Sequence, residues 1–255
     1  MDKKIVLLAC KGQSTNIVFN SLNNHFGNIS VILEEKESLK VYLKRRVRKL
    51  GIAKVLGQTL FQLLIAKPLQ FFSRKRIAEI VSKNLLDSSE IPPEKITRVH
   101  SINSIETIEI LKNSNPDLII VNGTRIISKN VLASVSCRLI NIHAGITPKY
   151  RGVHGAYWAL VKADFENCGV TVHFVDKGID TGNIISQGKI EIRRNDNFAT
   201  YPFLQLSRGL ELLHKAIVEY FANSIESKKN TLDSYLWYHP TIWEYIYYRI
   251  FKKVK

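Results

Sequence analysis

Five short apolar runs, at residues 4–9, 29–33, 96–100, 117–121 and 139–143, punctuate the first part of this 255-residue chain. Most of the connections between them carry helical stretches, at 15–23, 105–112 and a long one from 42 to about 83 with breaks expected at Gly51 and Pro68. Strand-like runs alternating with helices predict an α/β domain built on a mostly parallel sheet. The last run, 139–143, would close the parallel part. Beyond it, 155–162 reads as a helix, while 169–175 and 183–192 alternate like two strands joined by a turn.

The size and charge narrow what such a domain does. The chain can bury a full core, and 45% hydrophobic residues argue against disorder. The start, Met1-Asp2-Lys3-Lys4, lacks the apolar stretch of a signal peptide, and no run approaches the roughly eighteen residues of a membrane span, so a cytoplasmic protein is expected. Cys10, Cys137 and Cys168 are odd in number and stand in no ligand spacing, so neither a metal nor a disulfide is expected. The net charge of +15 is local: residues 44–76 hold ten basic and no acidic side chains, and the rest sums to 15 − 10 = +5. That block is open to three readings, the solvated face of surface helices, contact with phosphate, or peripheral contact with an anionic membrane. Charge confined to one block argues against nucleic acid as a partner of the whole chain.

The fifth run ends in Asn141-Ile142-His143 and is followed by Ala144-Gly145-Ile146-Thr147-Pro148-Lys149-Tyr150-Arg151-Gly152. Side chains two apart on a strand share a face, so Asn141 and His143 project together with Ile142 behind them. Gly and Pro then stop the ladder and open a loop at the sheet edge, where catalytic groups are commonly carried. One unit later, the turn Asp176-Lys177-Gly178-Ile179-Asp180-Thr181-Gly182 brings two carboxylates. An amide that donates to an oxyanion, an imidazole that moves a proton and a carboxylate that orients it suit acyl transfer to an amine.

Asn141-Ile-His143, the loop Thr147-Pro-Lys-Tyr-Arg-Gly152 and Gly169-Val-Thr-Val-His173-Phe with Ile179-Asp180-Thr-Gly182 resemble the folate-dependent formyltransferases. That family includes glycinamide ribonucleotide transformylase, methionyl-tRNA formyltransferase and the sugar N-formyltransferases. The resemblance covers residues 1–195 and is strongest over 115–192. It implies a Rossmann-like formyltransferase fold, with 10-formyltetrahydrofolate as co-substrate and no metal. Residues 1–195 are then the catalytic domain, carrying the basic helical insertion at about 40–83, and 196–255 form a C-terminal helical, aromatic extension. Asn141, His143 and Asp180 fall on the family's catalytic triad. Arg125, Ile126 and Ile127, after the fourth strand, and Val175 and Asp176 fall on the regions that line its pterin slot. His173 matches a family position, but its alternation with Thr171 and Val175 reads as structural.

The acceptor is less constrained. Gly12, Ser14, Thr15 and Asn16 follow the first strand, where a helix N-terminus offers N–H groups to an anion, and the resembling loop of the purine enzyme holds a phosphate. The bland alternative is a helix cap by Ser14 or Thr15. Lys149 and Arg151 are further substrate candidates, and Lys149-Tyr-Arg-Gly152 also resembles the methionyl-tRNA enzyme. That enzyme carries a further β-rich domain, whereas the residues after 195 read as a helix over 201–223 and a tail with seven aromatics among residues 236–251. Sugar N-formyltransferases combine the core with variable additions, so a nucleotide-linked amino sugar for a surface polysaccharide is the expected acceptor. A phosphorylated amine and methionyl-tRNA are the alternatives, and a non-enzymatic folate- or nucleotide-binding module is the reading from another class. The tail is expected to pack on the core or on a second subunit as a homodimer, with base stacking or a membrane interface as the other uses of such a composition.

Overall fold

The computed structural model describes residues 3–229 and 232–255. In chain order, β1 (Ile5–Cys10), α1 (Gln13–Phe26) and β2 (Ile29–Glu34) lead into a helical excursion. It comprises α2 (Leu39–Leu50), α3 (Ile52–Phe61), a π turn (Gln62–Ala66), α4 (Lys67–Phe72) and α5 (Arg74–Lys83). The sheet resumes with β3 (Ile96–Val99), α6 (Ile105–Ser114), β4 (Leu118–Asn122), α7 (Lys129–Ala133) and β5 (Leu139–His143). Then come β6 (Arg151–Gly152), α8 (Gly155–Val161), β7 (Gly169–Phe174), β8 (Ile184–Lys189), α9 (Tyr201–Phe221), β9 (Leu236–Trp237) and α10 (Ile242–Phe251).

Seven strands form one sheet in the order β3-β2-β1-β4-β5-β7-β8. Pairings are parallel from β3 through β5 and antiparallel from β5 to β7 and β8, so the run 139–143 does close the parallel part. Both faces are covered, as parallel strands require. From β1, Ile5, Leu7 and Ala9 pack with Ile17 of α1 and Leu213 of α9, while Val6 and Leu8 pack on the other face with Leu111 of α6 and Val131 of α7. The chain turns in opposite directions from β1 toward β2 and from β4 toward β5. Such a reversal leaves a crevice beyond the carboxyl ends of the strands.

Two local expectations are corrected. α1 is capped by Gly12 in an extended conformation without a side-chain bond, not by Ser14 or Thr15. The Thr15 hydroxyl instead donates to the Cys10 carbonyl at 2.6 Å, so it sits inside the first turn. In the excursion, Gly51 breaks the helical path at φ 83°, but Pro68 does not. Pro68 lies in the first turn of α4 just after the wider π turn, where its missing N–H interrupts nothing, and the path next breaks at Ser73.

The helix that begins at Tyr201 lies directly on the sheet, with Gly209 admitting Ile142 and Val170 against its backbone. The tail meets the excursion. Phe61 of α3 packs on Tyr245 of α10, ring centroids 5.2 Å apart, in an aromatic cluster with Tyr157 and Trp158 of α8. Gln58 donates to the His239 carbonyl at 2.6 Å, and β9 pairs in parallel with β6. The tail therefore packs against this same chain.

Candidate active site

β5 ends at the crevice with the parity expected of a strand. Ile142 points back to α9, and Asn141 and His143 point the other way. They open on a cavity of about 360 Å³ walled by residues 123–127, 152–153, 175–176 and 178–180. Gly145 lets the chain fold back over the motif: a Cβ there would collide with the Tyr150 carbonyl and lie 2.8 Å from His143 Nε2. The loop is then pinned to the hairpin. Thr147 N donates to Thr171 Oγ1 at 3.0 Å, and Gln187 Nε2 to the Thr147 carbonyl at 2.8 Å.

Hydrogen-bond partners fix the histidine tautomers. His143 Nε2 is 2.7 Å from the Tyr150 carbonyl, which can only accept, so Nε2 carries the proton. The lone pair of neutral His143 is thus on Nδ1, and Nδ1 faces Asp180 Oδ2 at 3.3 Å. That oxygen also accepts the Gly152 N–H at 2.9 Å. His173 Nδ1 donates to the Phe174 carbonyl at 2.7 Å, which leaves Nε2 to accept from Asn141 Nδ2 at 3.1 Å. Asn141 is thereby turned with its NH2 toward His173, and the second N–H of that group stays available to the cleft. Asp180 Oδ1 lies 3.7 Å from the same His173 nitrogen.

Burial is the largest influence on both ionisable partners, and it acts in opposite senses. It pushes the His143 imidazole down against the upward pull of Asp180, so the ring is neutral near neutral pH. It pushes Asp180 up. The attraction of the carboxylate for a proton at His143, together with the Gly152 N–H, outweighs it and holds the carboxyl at about 2. An ionised carboxylate thus faces an imidazole lone pair. Such a pair has room for one proton and stabilises it from both sides.

The other sequence candidates separate into groups. Arg125, Ile126, Ile127, Val175 and Asp176 all border the cavity. Asp176 Oδ1 shapes its own turn by accepting from Gly178 N at 2.9 Å. Arg151 donates to the Ile179 carbonyl at 3.0 Å and so ties the loop after β5 to the loop that carries Asp180. Lys149 pairs with Asp164, which also accepts the Tyr150 hydroxyl, and does not border the cavity. At the start of α1, Thr15 accepts from Asn122 Nδ2 at 3.1 Å and Asn16 donates to the Ser88 carbonyl at 3.2 Å, while Gly12 and Ser14 are exposed.

Two residues at this edge have places that the sequence reading did not give them. His173, read as structural, lies on the strand face that borders the cavity, between Asn141 and Asp180. Its parity with His143 across the antiparallel β5–β7 pair was the signal available, but the register could not be known. Glu34, at the end of β2, is buried and accepts Arg125 N at 2.6 Å and Ile102 N at 3.2 Å, with the Arg125 guanidinium 3.2 Å away. It anchors one wall of the cavity from the next strand but one, and nothing local in the sequence marks it.

The model of the formyl transferase family matches residues 63–219. A methionyl-tRNA formyltransferase of Clostridium perfringens is 36% identical over 128 residues, which is 50% of this chain and 41% of that protein. The chain thus spans less than half the length of the curated relatives it matches. Among solved structures, a 4-N formyltransferase from Francisella tularensis superposes with a TM-score of 0.57 at 16% identity, covering 92% of this chain and 76% of that one. An N-formyltransferase from Helicobacter canadensis, in complex with folinic acid and dTDP-3-aminofucose, gives 0.53 at 21% identity, covering 91% and 70%. At such identities these two speak for the fold.

Proposed function

This chain belongs to the formyl transferase family, and on that premise we propose that it transfers a formyl group from 10-formyltetrahydrofolate to the primary amine of a nucleotide-linked amino sugar. The observation that carries the chemistry is the His143–Asp180 pair, Nδ1 facing Oδ2 at 3.3 Å beside the Asn141 amide. In the reaction the amine nitrogen bonds to the formyl carbon, the bond from that carbon to the folate nitrogen breaks, and one proton passes from the amine to that nitrogen. Asn141, held through one N–H by His173, offers the other to the oxyanion that develops on the formyl oxygen. The lone pair on His143 Nδ1 and the carboxylate of Asp180 receive the amine's proton between them and release it to the departing nitrogen. Because Nε2 is bound to Tyr150, His143 can add a donor to the oxyanion only through Nδ1 once that proton has arrived.

The cavity has the character that the co-substrate needs: apolar walls from Val121, Ile127 and Val175 suit a flat pterin, and the main chain of 123–127, 175–176 and 178 can meet its polar edge. For the acceptor, a second cavity of about 530 Å³ lies at the start of α1, between Gln13 and Lys67, Phe71 and Arg74 of the excursion. Two cations and an aromatic ring suit the diphosphate and base of a sugar nucleotide. In this reading the acceptor is an amino sugar for a surface polysaccharide, formylated in the cytoplasm. A methionyl-tRNA acceptor is the second reading, favoured by the 36% identity over 128 residues to enzymes of that name.

The test is release of tetrahydrofolate when the protein meets 10-formyltetrahydrofolate and, in separate reactions, nucleotide-linked amino sugars, a phosphorylated amine and methionyl-tRNA. Turnover with an amino sugar supports the proposal, and turnover with tRNA alone replaces its acceptor. Folate binding without turnover of any amine makes the chain a binding module.

A further inference from the structure

α10 carries an apolar stripe on the side where a globular helix is usually polar. Trp243, Ile246, Tyr247, Ile250 and Phe251 stand at the i, i+3, i+4, i+7, i+8 spacing of one helix face, and all five are exposed, Phe251 to 70%. The inner side of α10 is already used, since Tyr245 is buried against Phe61. Its one acidic residue, Glu244, is locked into the cap with Thr241. Beside it lies α3, so close that a side chain at Gly57 would run into the Trp243 ring. α3 and the π turn after it expose a stripe of their own, Ile52 (72%), Leu56, Leu63 and Leu64. Two adjacent helices thus present one apolar surface, and apolar area gathered in this way marks an interaction site.

The charge around that surface is predominantly positive. α2 packs on α3 through the Arg46–Gln58 bond of 2.6 Å and exposes Lys44, Arg45, Arg48 and Lys49. At the end of α10, Arg249, Lys252 and Lys253 are exposed. Arg45 is paired with Glu37 at 2.8 Å, and no other ion pair involves these seven among the described residues.

We propose that the joined outer face of α3 and α10, rimmed by the basic side chains of α2 and the end of α10, docks on an anionic lipid bilayer. Three features favour a bilayer over other occupants. A second copy of this chain would bring the same positive rim against itself. Nucleic acid would meet the cations but has no use for a double stripe of Ile, Leu and Phe. Trp and Tyr, each with an apolar body and a polar tip, together with long cationic stems that reach from apolar to aqueous surroundings, suit the level of lipid headgroups. The inference does not depend on formyl transfer. It unites two segments, the basic block and the aromatic tail, that are nearly two hundred residues apart.

Flotation of the whole protein with vesicles of pure phosphatidylcholine, and with vesicles of phosphatidylcholine and phosphatidylglycerol, tests it directly. The expected result is binding at least about tenfold stronger to the anionic vesicles, weakened by salt, with a blue shift of Trp243 fluorescence that is lost in Trp243→Phe. The double variants Ile246→Ser/Ile250→Ser and Arg48→Glu/Lys49→Glu change only exposed side chains, and each is expected to lose about tenfold in binding while retaining turnover in solution. Negligible binding to both vesicle types overturns the proposal, as does binding that neither double variant weakens. Concentration-dependent dimerisation that Ile246→Ser/Ile250→Ser abolishes, without vesicle binding, overturns it in favour of a second copy.

Discussion

Asp180→Asn isolates the carboxylate charge from its shape. Asn keeps an oxygen to accept the Gly152 N–H, now 2.9 Å from Asp180 Oδ2, and its NH2 then takes the place of Oδ1, which lies 3.7 Å from His173 Nε2. The seat of the side chain is therefore kept, and the main loss falls on the state in which the pair holds a proton. An imidazolium 3.3 Å from a carboxylate gains ~5 kcal/mol at an effective dielectric constant of about 20. Without it, the proton bound at His143 is less stable by that amount, which corresponds to between roughly 10³ and 10⁴ in rate at 1.36 kcal/mol per decade. The expected result is a fall in kcat of about 10³, within the range general acid–base groups contribute, with KM for 10-formyltetrahydrofolate changed only a few-fold. The assay is tetrahydrofolate release at saturating co-substrate, beside a thermal melt showing that the variant is folded. A folded variant whose kcat stays within about tenfold of the parent would refute the proton-holding role of the pair.

Four further outcomes follow from the same geometry. Asn141→Ala removes the amide that faces the cleft and is expected to cost about 2.7–4 kcal/mol in barrier, about 10²–10³ in kcat; near-full formylation would sink the oxyanion assignment. His173→Leu takes away the acceptor that orients Asn141, a loss of roughly 1–3 kcal/mol, so kcat should fall about 10- to 100-fold with KM for folate little changed, and His173→Gln should recover part of it. Gly57→Ala forces a methyl into the Trp243 ring and should cost about 1–3 kcal/mol, lowering Tm by roughly 2–4 °C per kcal/mol; an unchanged Tm would mean that α3 and α10 do not meet as described. Burial lowers the pKa values of His143, His154, His214 and His239, the last two to about 4. The unfolded chain then takes up protons first, so this stability is complete above about pH 6.5 and is lost as pH falls toward 4. Asp180 adds stability that is lost lower still, as pH falls toward about 2. Urea midpoints should drop between pH 7 and 5, and an equal or higher midpoint at pH 5 would contradict the burial of these rings.

What could be read from the sequence was local. The run 139–143 has the same bounds as β5, because the apolar side chains that form it and the Gly and Pro that end it lie within a dozen residues. The parallel sheet was legible for a similar reason, through strand-like runs separated by helices. The features that the sequence does not show depend on contacts across the chain. His173 reads as an ordinary strand residue until the β5–β7 register sets it opposite Asn141. Glu34 gains its meaning only when the loop after β4 arrives at the end of β2. Pro68 looked like a helix end because a proline is costly inside a regular α-helix, and the π turn before it could not be foreseen. Composition described the basic block and the aromatic tail separately, and contacts such as Phe61 against Tyr245 and Gly57 against Trp243 join them.

The two-stranded ribbon of β6 and β9 has a consequence for the order in which the protein is made. Arg151 N donates to the Tyr235 carbonyl and Val153 N to that of Trp237, and between them Gly152 N holds Asp180. During synthesis the sheet, the Asn141–His143 strand end and the hairpin emerge well before residues 235–237. Until those residues leave the ribosome, the backbone that presents the Gly152 N–H has no partner, and the carboxylate has no fixed seat. The nascent chain is therefore expected to fold its sheet before the site is complete, with the seat of Asp180 set by residues that appear long after the Asn141–His143 strand end.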